Sequence, residues 1–382
     1  MRFAHLGDCH LGGWRQPELR DLNFQSFQFA IDTCIKERLD FVLIAGDLFD
    51  SAYPPIEIIK DAFYEFRKLK EANIPVFLIA GSHDYSASGR TFLDVIEKAG
   101  FATNVFKNED RNGSIILTPS IYKNVAIYGY PGRKSGLEVG EIEKIKLQDA
   151  PGFFKILMLH TAIRDAIGTL PIPAVDQSKL PPVNYLALAH LHINYNKNNA
   201  VYCGPTFPNN AAELEELEGG SFYIVNTEGK IERKEIKLKK LITLKVEIKD
   251  ALNATDQVIE ELDKSDLKDK VVILKLHGTI ERGRVADINF NKIDLNAKKR
   301  GAYIILRNMT NLHSQESEIK IDFMSENIEE EIISKFQRDH PSNFNEFIPS
   351  LLSVLQLEKK EEERSASFEE RLMSDAKKTL SI

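Results

Sequence analysis

Short apolar runs alternate with longer amphipathic segments along residues 1–235 of this 382-residue chain. The runs occupy residues 3–6, 41–45, 76–80, 125–128, 156–159, 185–189 and 222–225. Between the first two runs, Phe24, Phe27 and Ile31 recur at helical spacing. Buried strands separated by amphipathic helices are typical of an α/β domain, in which mostly parallel sheets lie between layers of helices.

Polar residues directly follow five of these runs. In chain order they are Asp8 and His10, then Gly46-Asp47, then Gly81-Ser82-His83-Asp84, then His160, and last His190-Leu191-His192. The carboxyl ends of parallel strands face loops rather than core, and ligand sites of α/β sheets collect at that edge. The sequence therefore predicts one shared site built from five strand ends.

The residue types in these clusters are those that bind divalent transition metals, which prefer imidazole nitrogens and carboxylate oxygens. Asp8 and His10 lie two residues apart, so their side chains point to one side of an extended backbone, and His190 and His192 repeat this spacing. The clusters hold more ligands than one ion needs, so we expect two ions that share Asp47. Two metals ~3.5–4 Å apart can stabilise an in-line displacement at phosphorus.

Scattered structural residues are the alternative interpretation of these clusters. His5, His277, His313 and His340 belong to no such motif and are interpreted as structural histidines. The other five of the nine histidines occur at strand ends in the order D-x-H, G-D, G-x-H-D, H and H-x-H, and this order favours a dinuclear site.

Two regions of different character follow residue 235. Residues 236–321 alternate apolar runs with helix-like stretches and carry 17 Lys and Arg against 13 Asp and Glu. Residues 322–382 are acidic, with 8 against 14, and have Ile328 and Ile332 on one helical stripe. We expect a first domain at 1–235, a small α+β domain at 236–321 and a helical tail at 322–382.

The composition is that of an ordinary globular protein, with a formal net charge of −7. Taken alone, this charge argues against a polyanionic partner, but it averages a basic middle region with acidic flanks. Three cysteines without C-x-x-C spacing predict a reduced compartment. No apolar stretch approaches the ~18 residues of a membrane span, so we expect a cytoplasmic protein with no membrane partner.

The order of these motifs resembles the calcineurin-like metallophosphoesterase superfamily. More narrowly, the opening H-L-G-D-C-H-L-G from His5 to Gly12, the G-D-L-F run from Gly46, the chain length, the second domain and the tail resemble one branch of it. That branch is the nuclease subunit of DNA double-strand-break repair complexes, the Mre-type nuclease called SbcD in bacteria. The resemblance implies a four-layer αββα sandwich with a small α+β capping domain and a helical tail. It also implies a hydrolase, a metal-dependent DNA exonuclease and endonuclease.

The resemblance further implies two Mn²⁺ ions per subunit. The ligands of one ion would be Asp8, His10, Asp47 and His192. The ligands of the other would be Asp47, Ser82, His160 and His190. His83 corresponds to the histidine that contacts the scissile phosphate and assists the leaving oxygen, and Asp84 would orient this histidine or its loop.

Three positions depart from the family's pattern. Ser82 stands where asparagine is usual, and its shorter hydroxyl is a weaker ligand, so the second ion is expected to bind loosely or through water. Asp50 stands where many relatives have histidine, and it cannot donate a proton in the same way. Ala189 replaces the usual glycine before His190, a change expected to be tolerated.

DNA contacts are expected in two places. In the first domain, the candidates are Trp14 and Arg15, beside the first cluster, and Arg90, beyond His83. In the second domain they are Lys298, Lys299 and Arg300. Arginine and backbone N–H groups suit phosphate contacts. An ordinary flexible loop and a solvated charged face are the respective alternatives.

The resemblance also implies partners. It implies homodimerisation through helices of the first domain, and a Rad-type or SbcC-type SMC-like ATPase with long coiled coils. The apolar stripe of the tail suits the ATPase, and packing of the tail onto its own chain is the alternative. Such a protein would be associated with the nucleoid.

Three functions remain in view. A manganese-dependent nuclease that processes DNA double-strand breaks, as a 3′–5′ exonuclease on duplex ends and an endonuclease on single strands, is favoured. A phosphoesterase acting on nucleotides or phosphoproteins would need neither the second domain nor the tail. A DNA-end-binding scaffold with weakened catalysis is the third, because of Ser82 and Asp50.

Overall fold

The computed structural model describes residues 1–86, 91–133, 136–314, 337–338, 342, 345–355, 357 and 365–380. Two sequence predictions lie outside the described residues. They are the DNA contact at Arg90 and the apolar stripe at Ile328 and Ile332.

One six-stranded sheet contains the first three strands of the chain. In spatial order its strands are β15 (Ile231–Ile236), β14 (Gly220–Asn226), β1 (Arg2–Leu6), β2 (Phe41–Ala45), β3 (Val76–Ile79) and β4 (Thr103–Asn104). Strands β1 to β4 are parallel, and β14 pairs antiparallel with β1. Helices α1 (Pro17–Lys36), α2 (Ile56–Glu71) and α3 (Leu93–Lys98) pack on one face. Helix α1 begins at Pro17, whose missing N–H is not needed at a first helical position.

A second six-stranded sheet packs against the other face of the first. In spatial order its strands are β12 (Asn194–Lys197), β13 (Ala200–Cys203), β11 (Tyr185–Ala189), β10 (Phe154–His160), β8 (Val125–Tyr130) and β7 (Ser120–Tyr122). The core between the two sheets is filled by side chains from both, including Phe3 and Leu43 of the first sheet and Met158 of the second. Along β1, Ala4 and Leu6 point instead into the core below the helices, as the two-residue period of a strand requires.

The outer face of the second sheet is covered by short elements. These are α4 (Val139–Ile142), α5 (Arg164–Ile167) and a small sheet with the order β5 (Asn108–Arg111), β6 (Ser114–Leu117) and β9 (Ile145–Leu147). The predicted sandwich of two sheets between outer layers is confirmed. One outer layer consists of long helices, and the other combines two short helices with a three-stranded sheet.

The remaining elements follow β13. Helix α6 (Ala211–Leu217) precedes β14, and a third small sheet has the order β16 (Lys240–Glu247), β17 (Lys270–Ile280) and β18 (Ile304–Ser314). Helices α7 (Ala251–Asp263) and α8 (Phe290–Lys299) follow β16 and β17 in the chain, and α9 (Ile348–Leu355) and α10 (Ser365–Leu380) pack on each other.

The chain divides into two compact units. The first contains Met1–Val246, Thr255–Leu276 and Asn289–Thr310, and the second contains Glu247–Ala254, His277–Ile288 and the described residues from Asn311 onward. Within the first unit, Val271 and Leu306 share a buried cluster with the indole of Trp14 and with Leu214 of α6. The domain boundaries at residues 235 and 321 stay a prediction.

Among the described residues, no helix is both long enough and apolar enough to cross a membrane.

Candidate metal centre

The carboxyl ends of five strands from both large sheets meet at one edge, as the sequence predicts. Asp8 and His10 follow β1, Asp47 follows β2, and Ser82 follows β3, while His160 ends β10 and His190 and His192 follow β11. Backbone hydrogen bonds join the first two loops, from Asp8 N–H to Gly46 O (3.1 Å) and from His10 N–H to Asp47 O (3.0 Å). The N–H of His190 donates to both carboxylate oxygens of Asp8 (2.9 and 3.0 Å) and so ties the second sheet to the first.

Several of these residues have an unusual backbone. The φ angles of Asp8, His10, Asp47 and His192 lie between 43° and 53°, and that of His190 is 109°. A non-glycine residue with positive φ is uncommon and costs about 1–3 kcal/mol, and such residues concentrate at functional sites. The surrounding fold therefore holds these loops in conformations that the residues would not choose alone.

One group of converging side chains consists of Asp8, His10 and His192. The Nε2 atoms of the two histidines are 3.0 Å apart. His192 Nε2 lies 3.9 Å from Asp8 Oδ1, and His10 Nε2 lies 3.7 Å from Asp47 Oδ2. Four potential ligand atoms thus lie within reach of one small cation, and they come from the four residues assigned to the first ion.

A second group consists of Asp8, Asp47 and His160, and all three are buried. His160 Nε2 lies 3.1 Å from Asp47 Oδ2, and in the described part of the chain this nitrogen has no hydrogen-bond partner of good geometry. Glycines leave room for this ring, because a Cβ on Gly46 or on Gly132 would lie 2.4 Å from its atoms. Gly46 also has a φ of +97°, which other residues rarely adopt.

The far ring nitrogen of three histidines is bound to an acceptor. Nδ1 of His10 donates to Asp50 Oδ1 (3.1 Å), Nδ1 of His192 donates to Glu213 Oε2 (3.0 Å), and Nδ1 of His160 donates to Ala45 O (3.0 Å). A carboxylate or carbonyl oxygen can only accept, so Nδ1 carries the proton in each ring. In a neutral ring Nε2 is then the lone-pair donor, and such outer partners orient metal-ligating histidines.

Divalent cations fit this arrangement for a further reason. Burial acts to lower the pKa of His160, but the carboxylates of Asp47 and Asp8 outweigh burial and raise this pKa to about 10. Asp8 and Glu213 likewise raise the pKa of His192 to about 9 against the effect of burial. Without an ion, the carboxylates therefore draw protons onto two imidazoles, and a bound cation supplies the same positive charge.

His190 and Ser82, the other two residues assigned to the second ion, are less tightly engaged. The ring of His190 lies edge-on to that of His160 with centroids 5.1 Å apart, and burial and the charge of His160 lower the pKa of His190 to about 4. Ser82 Oγ is 3.4 Å from Asp47 Oδ2. Ala189 is accommodated because Gly7 faces it, where a Cβ would lie only 2.5 Å from the Ala189 Cβ.

His83 lies at the open side of the cluster. Its Nδ1 donates to the backbone oxygen of Asp50 (2.9 Å), and its side chain is 46% exposed. Asp84 is buried and accepts from the N–H groups of Gly81 (2.9 Å), Phe49 (3.1 Å) and Leu48 (3.3 Å). Of the two predicted roles for Asp84, these contacts favour holding the loop. Burial, together with the charge of Asp47, raises the pKa of Asp84 to about 6.

The predicted DNA contacts differ from one another in the structure. Arg15 is exposed beside the first cluster, and Lys298 and Lys299 are exposed in the last turn of α8. Trp14 is only 7% exposed, and its Nε1 donates to Pro208 O (2.8 Å), so its position is that of a core residue rather than a DNA contact.

Arg300 is also engaged elsewhere. Its guanidinium donates to Asp263 Oδ1 (3.1 Å), Asp263 O (2.9 Å) and Ser265 O (3.2 Å). These bonds satisfy carbonyls at the end of α7, so the side chain fastens α8 to α7.

Two residues of the site were missed from the sequence, Glu213 and Asn209. Glu213 is the acceptor for His192, and Asn209 donates to both Glu213 and Asp50. An asparagine three residues before a glutamate, Asn210 before Glu213, predicts the start of a helix, and Asn210 does cap α6. Nothing in that pattern indicates that Glu213 reaches the imidazole of His192.

Two packed sheets with carboxylates and imidazoles at a shared strand edge are typical of metal-dependent phosphoesterases. The family model described as calcineurin-like phosphoesterase matches residues 1–194, half of the chain. The chain belongs to this family.

Curated relatives point in the same direction. The chain is similar to the "DNA double-strand break repair protein Mre11" of Methanococcus maripaludis, with 30% identity over 60% of this chain and 64% of the relative. It is similar to the protein of the same name from Methanocaldococcus jannaschii, with 28% identity over 68% of this chain and 73% of the relative. It also resembles the Bacillus subtilis metallophosphoesterase YhaO, with 26% identity over 59% and 57%.

These matches cover only part of each relative. Among the first four relatives, all with the same printed name, the matched share is 46–73% of the relative's length.

Proposed function

We propose that this protein is a manganese-dependent DNA nuclease that acts as a 3′–5′ exonuclease on duplex ends and as an endonuclease on single strands. The observation that carries the proposal is the convergence of buried carboxylates and correctly oriented imidazoles at one strand edge. The printed name of the archaeal relatives, a DNA double-strand break repair protein, supports DNA as the substrate.

Two ions would be held by the predicted residues. The first set is Asp8, His10, Asp47 and His192, and the second is Asp47, Ser82, His160 and His190. When bound, two divalent ions supply Lewis-acid charge that stabilises the negative charge developing on a phosphate under in-line attack. The chain's own residues fix the geometry, since Asp50, Glu213 and Ala45 hold three imidazoles with Nε2 free for a ligand role.

His83 is the proposed catalytic residue. Because Nδ1 is bound to the Asp50 carbonyl, Nε2 is the atom available to a substrate. In its protonated form the ring would donate from Nε2 to a phosphate oxygen or to the leaving oxygen. Asp84 fixes the backbone on which His83 stands, through its bonds to the loops at Leu48 and Gly81.

The space around His83 suits an extended substrate. One cavity of about 420 Å³ is lined by His83, His192 and Glu213, and another of about 630 Å³ by His83, Tyr53 and Arg133. The carboxylates around the site would repel a polyanion, so bound cations are needed to attract phosphate. Arg15 of the first domain is proposed as a further phosphate contact, together with Lys298 and Lys299 of a capping domain at 236–321.

Partners are proposed as well. We place a homodimer contact on the helices of the first domain and an SMC-like ATPase on the C-terminal helices. In the described part of that tail, Leu355 (63%) and Met373 (57%) are strongly exposed, as a docking surface requires.

Hydrolysis of another phosphate ester is the second candidate function. The resemblance to YhaO, a metallophosphoesterase, motivates it. A scaffold that binds DNA ends with weakened catalysis would have the same surface without turnover.

The test uses labelled duplex, single-stranded and hairpin DNA with Mn²⁺, Mg²⁺ or EDTA, beside a generic phosphodiester such as bis-p-nitrophenyl phosphate. Wild type should cut DNA with Mn²⁺, and Asp47→Ala should lose at least 100-fold in rate. Cleavage of the small ester without DNA cleavage would favour the second candidate. Binding of DNA ends without Asp47-dependent cleavage would favour the DNA-end-binding scaffold.

A further inference from the structure

We infer that Asn209 is a positioning residue that joins the carboxylates of Asp50 and Glu213 and so fixes His10 and His192 as one pair. The inference rests on the proposed metal centre and adds to it a device for setting the affinity of the first ion. Asn209 lies between β13 and α6, beyond the strand-end clusters of the sequence.

The side chain of Asn209 serves His10. Its Nδ2 donates to Asp50 Oδ1 (3.2 Å), and the same oxygen accepts from Nδ1 of His10 (3.1 Å). The Asp50 side chain is 31% exposed, so water competes for it. A donor fixed on the opposite side holds this carboxylate in the rotamer that His10 needs, which saves ordering entropy when an ion binds.

The backbone of Asn209 serves His192. Its N–H donates to Glu213 Oε2 (2.9 Å), the oxygen that accepts from Nδ1 of His192 (3.0 Å). The second oxygen of this carboxylate, Oε1, accepts from Asn210 Nδ2 (2.6 Å). Both oxygens of Glu213 are therefore held by the same two-residue segment.

The segment itself is anchored on both sides. Before it, Pro208 O accepts from Trp14 Nε1 (2.8 Å), and after it Asn210 caps α6 by accepting from the N–H groups of Ala212 and Glu213 (3.0 Å each). Gly13 leaves the space that the amide occupies, because a Cβ there would lie 2.4 Å from Asn209 Oδ1. A rigid segment that contacts two carboxylates couples the two imidazoles, whose Nε2 atoms are 3.0 Å apart.

The experiment measures Mn²⁺ binding to the EDTA-stripped full chain by titration calorimetry. Asn209→Leu keeps the volume and the backbone N–H but removes the amide donor. We expect about tenfold weaker binding of the tighter ion. Asn196→Leu, at an exposed position of β12, is the matched control and should bind as wild type does. The melting temperature in EDTA should be equal in both variants, which a merely structural role of Asn209 would not allow.

Variants at Asp50 make the test specific. Asp50→Leu should weaken binding at least as much as Asn209→Leu, and the double variant should be no worse than Asp50→Leu alone, because the amide acts through Asp50. Asp50→Asn keeps an oxygen acceptor and should retain most of the affinity. Should Asn209→Leu fail to fold, Asn209→Ala takes its place in the same cycle.

The outcomes distinguish a failure of the proposed metal centre from a failure of the proposed role of Asn209. If wild type binds no Mn²⁺, the proposed metal centre fails and this inference fails with it. If wild type binds Mn²⁺ and Asn209→Leu binds equally well, only the role of Asn209 is overturned. Additive losses in the double variant would overturn it too, since independent effects contradict one shared path.

Discussion

The two walls of the candidate metal centre are built in different ways. The inner wall consists of Asp47 and His160 with Ala45, Gly46 and Gly132, and its histidine, fully buried, is held by a backbone carbonyl. The outer wall consists of His10, His192, Asp50, Glu213 and Asn209, and its histidines are held by side-chain carboxylates that are 31% and 24% exposed. A mutation cannot remove a backbone acceptor such as Ala45 O, and the glycines around His160 leave no room for a larger residue. Each side-chain acceptor of the outer wall can instead be changed separately. Changes in the backbone packed around His160 should therefore affect folding, and changes in the side-chain acceptors of the outer wall should affect ion affinity.

The largest effect is expected from Gly132→Ala in the inner wall. The added Cβ would lie 2.4 Å from His160 Cδ2 and 2.9 Å from His160 O, so either the backbone or the ring must shift. We expect a loss of about 3 kcal/mol in the free energy of unfolding, measured with urea. Gly140→Ala in α4 is the control and should not destabilise, because no atom of the described residues lies within 4 Å of the added Cβ. If Gly132→Ala and Gly140→Ala are equally stable, the inner wall can accommodate the added methyl group, and the proposed contrast between the two walls is wrong.

The second prediction concerns the pH dependence of stability and His5, which lies within β1 three residues before Asp8. The ring is fully buried, and it makes a hydrogen bond with Tyr185 OH (2.9 Å). Burial lowers the pKa of His5 to about 3 from the model-compound value of 6.5. Below pH 6.5 the unfolded chain binds a proton that the folded chain does not, so stability falls as the pH drops towards 3.

The slope from this one group is at most ~1.4 kcal/mol per pH unit. His5→Phe should remove it and leave a shallower decline of unfolding free energy between pH 7 and pH 4.5, measured in EDTA. Parallel curves for the two proteins would mean that His5 does not carry this acid sensitivity.

A local effect is expected from Ser82→Asn. The hydroxyl of Ser82 is 3.4 Å from Asp47 Oδ2, and a longer amide would add a stronger oxygen ligand beside the inner wall. We expect about tenfold tighter binding of the second Mn²⁺ and a higher manganese content after dialysis, measured by elemental analysis. Ser82→Ala serves as the comparison with no ligand oxygen. Unchanged manganese content in Ser82→Asn would contradict the idea of a loosely bound second ion.

The smallest effect is expected where β17 meets α6. Lys275 Nζ lies 2.5 Å from Glu215 Oε2, two residues beyond Glu213, and both side chains are about one-quarter exposed. A double-mutant cycle with Lys275→Met and Glu215→Gln should give a coupling of about 0.5 kcal/mol in unfolding free energy.

The same variants should leave Mn²⁺ affinity unchanged, because Asn209 and Asn210 hold Glu213 independently of this ion pair. A fall in Mn²⁺ affinity would instead show that the outer wall depends on the contact between β17 and α6.

The positions of the predicted ligands followed from the sequence for a simple reason. Asp8 and Asp47 each lie two residues beyond a strand, and the parallel pairing of β1 with β2 places them at one edge. His160 ends β10 of the second sheet, and the packing of the two sheets brings it to the same edge. The resemblance to metallophosphoesterases, and with it the two-sheet sandwich, depended on the same local motifs. The short outer layer over the second sheet was not predicted, since four-residue helices carry too little periodicity to be detected.

The environment of those ligands was beyond the sequence. Trp14 looked like a loop residue suited to DNA, yet its indole is buried and bonded to Pro208, a residue almost two hundred positions away. Arg300 looked like part of a basic patch, yet its donors are taken up by the end of α7. Both outcomes depend on which distant segment packs against a side chain, and no local pattern records that.

The sequence by itself determined which residues gather at the strand edge, because strand periodicity and parallel order act over a few residues. Only the tertiary structure decided how those residues are oriented. The tautomers of His10 and His192 depend on Asp50 and Glu213, and these depend on Asn209, which reaches them across loops that are distant in the chain. Hydrogen bonds between such loops are set by the packing of whole sheets. The local sequence therefore gives the types of the ligands, and the fold gives their geometry.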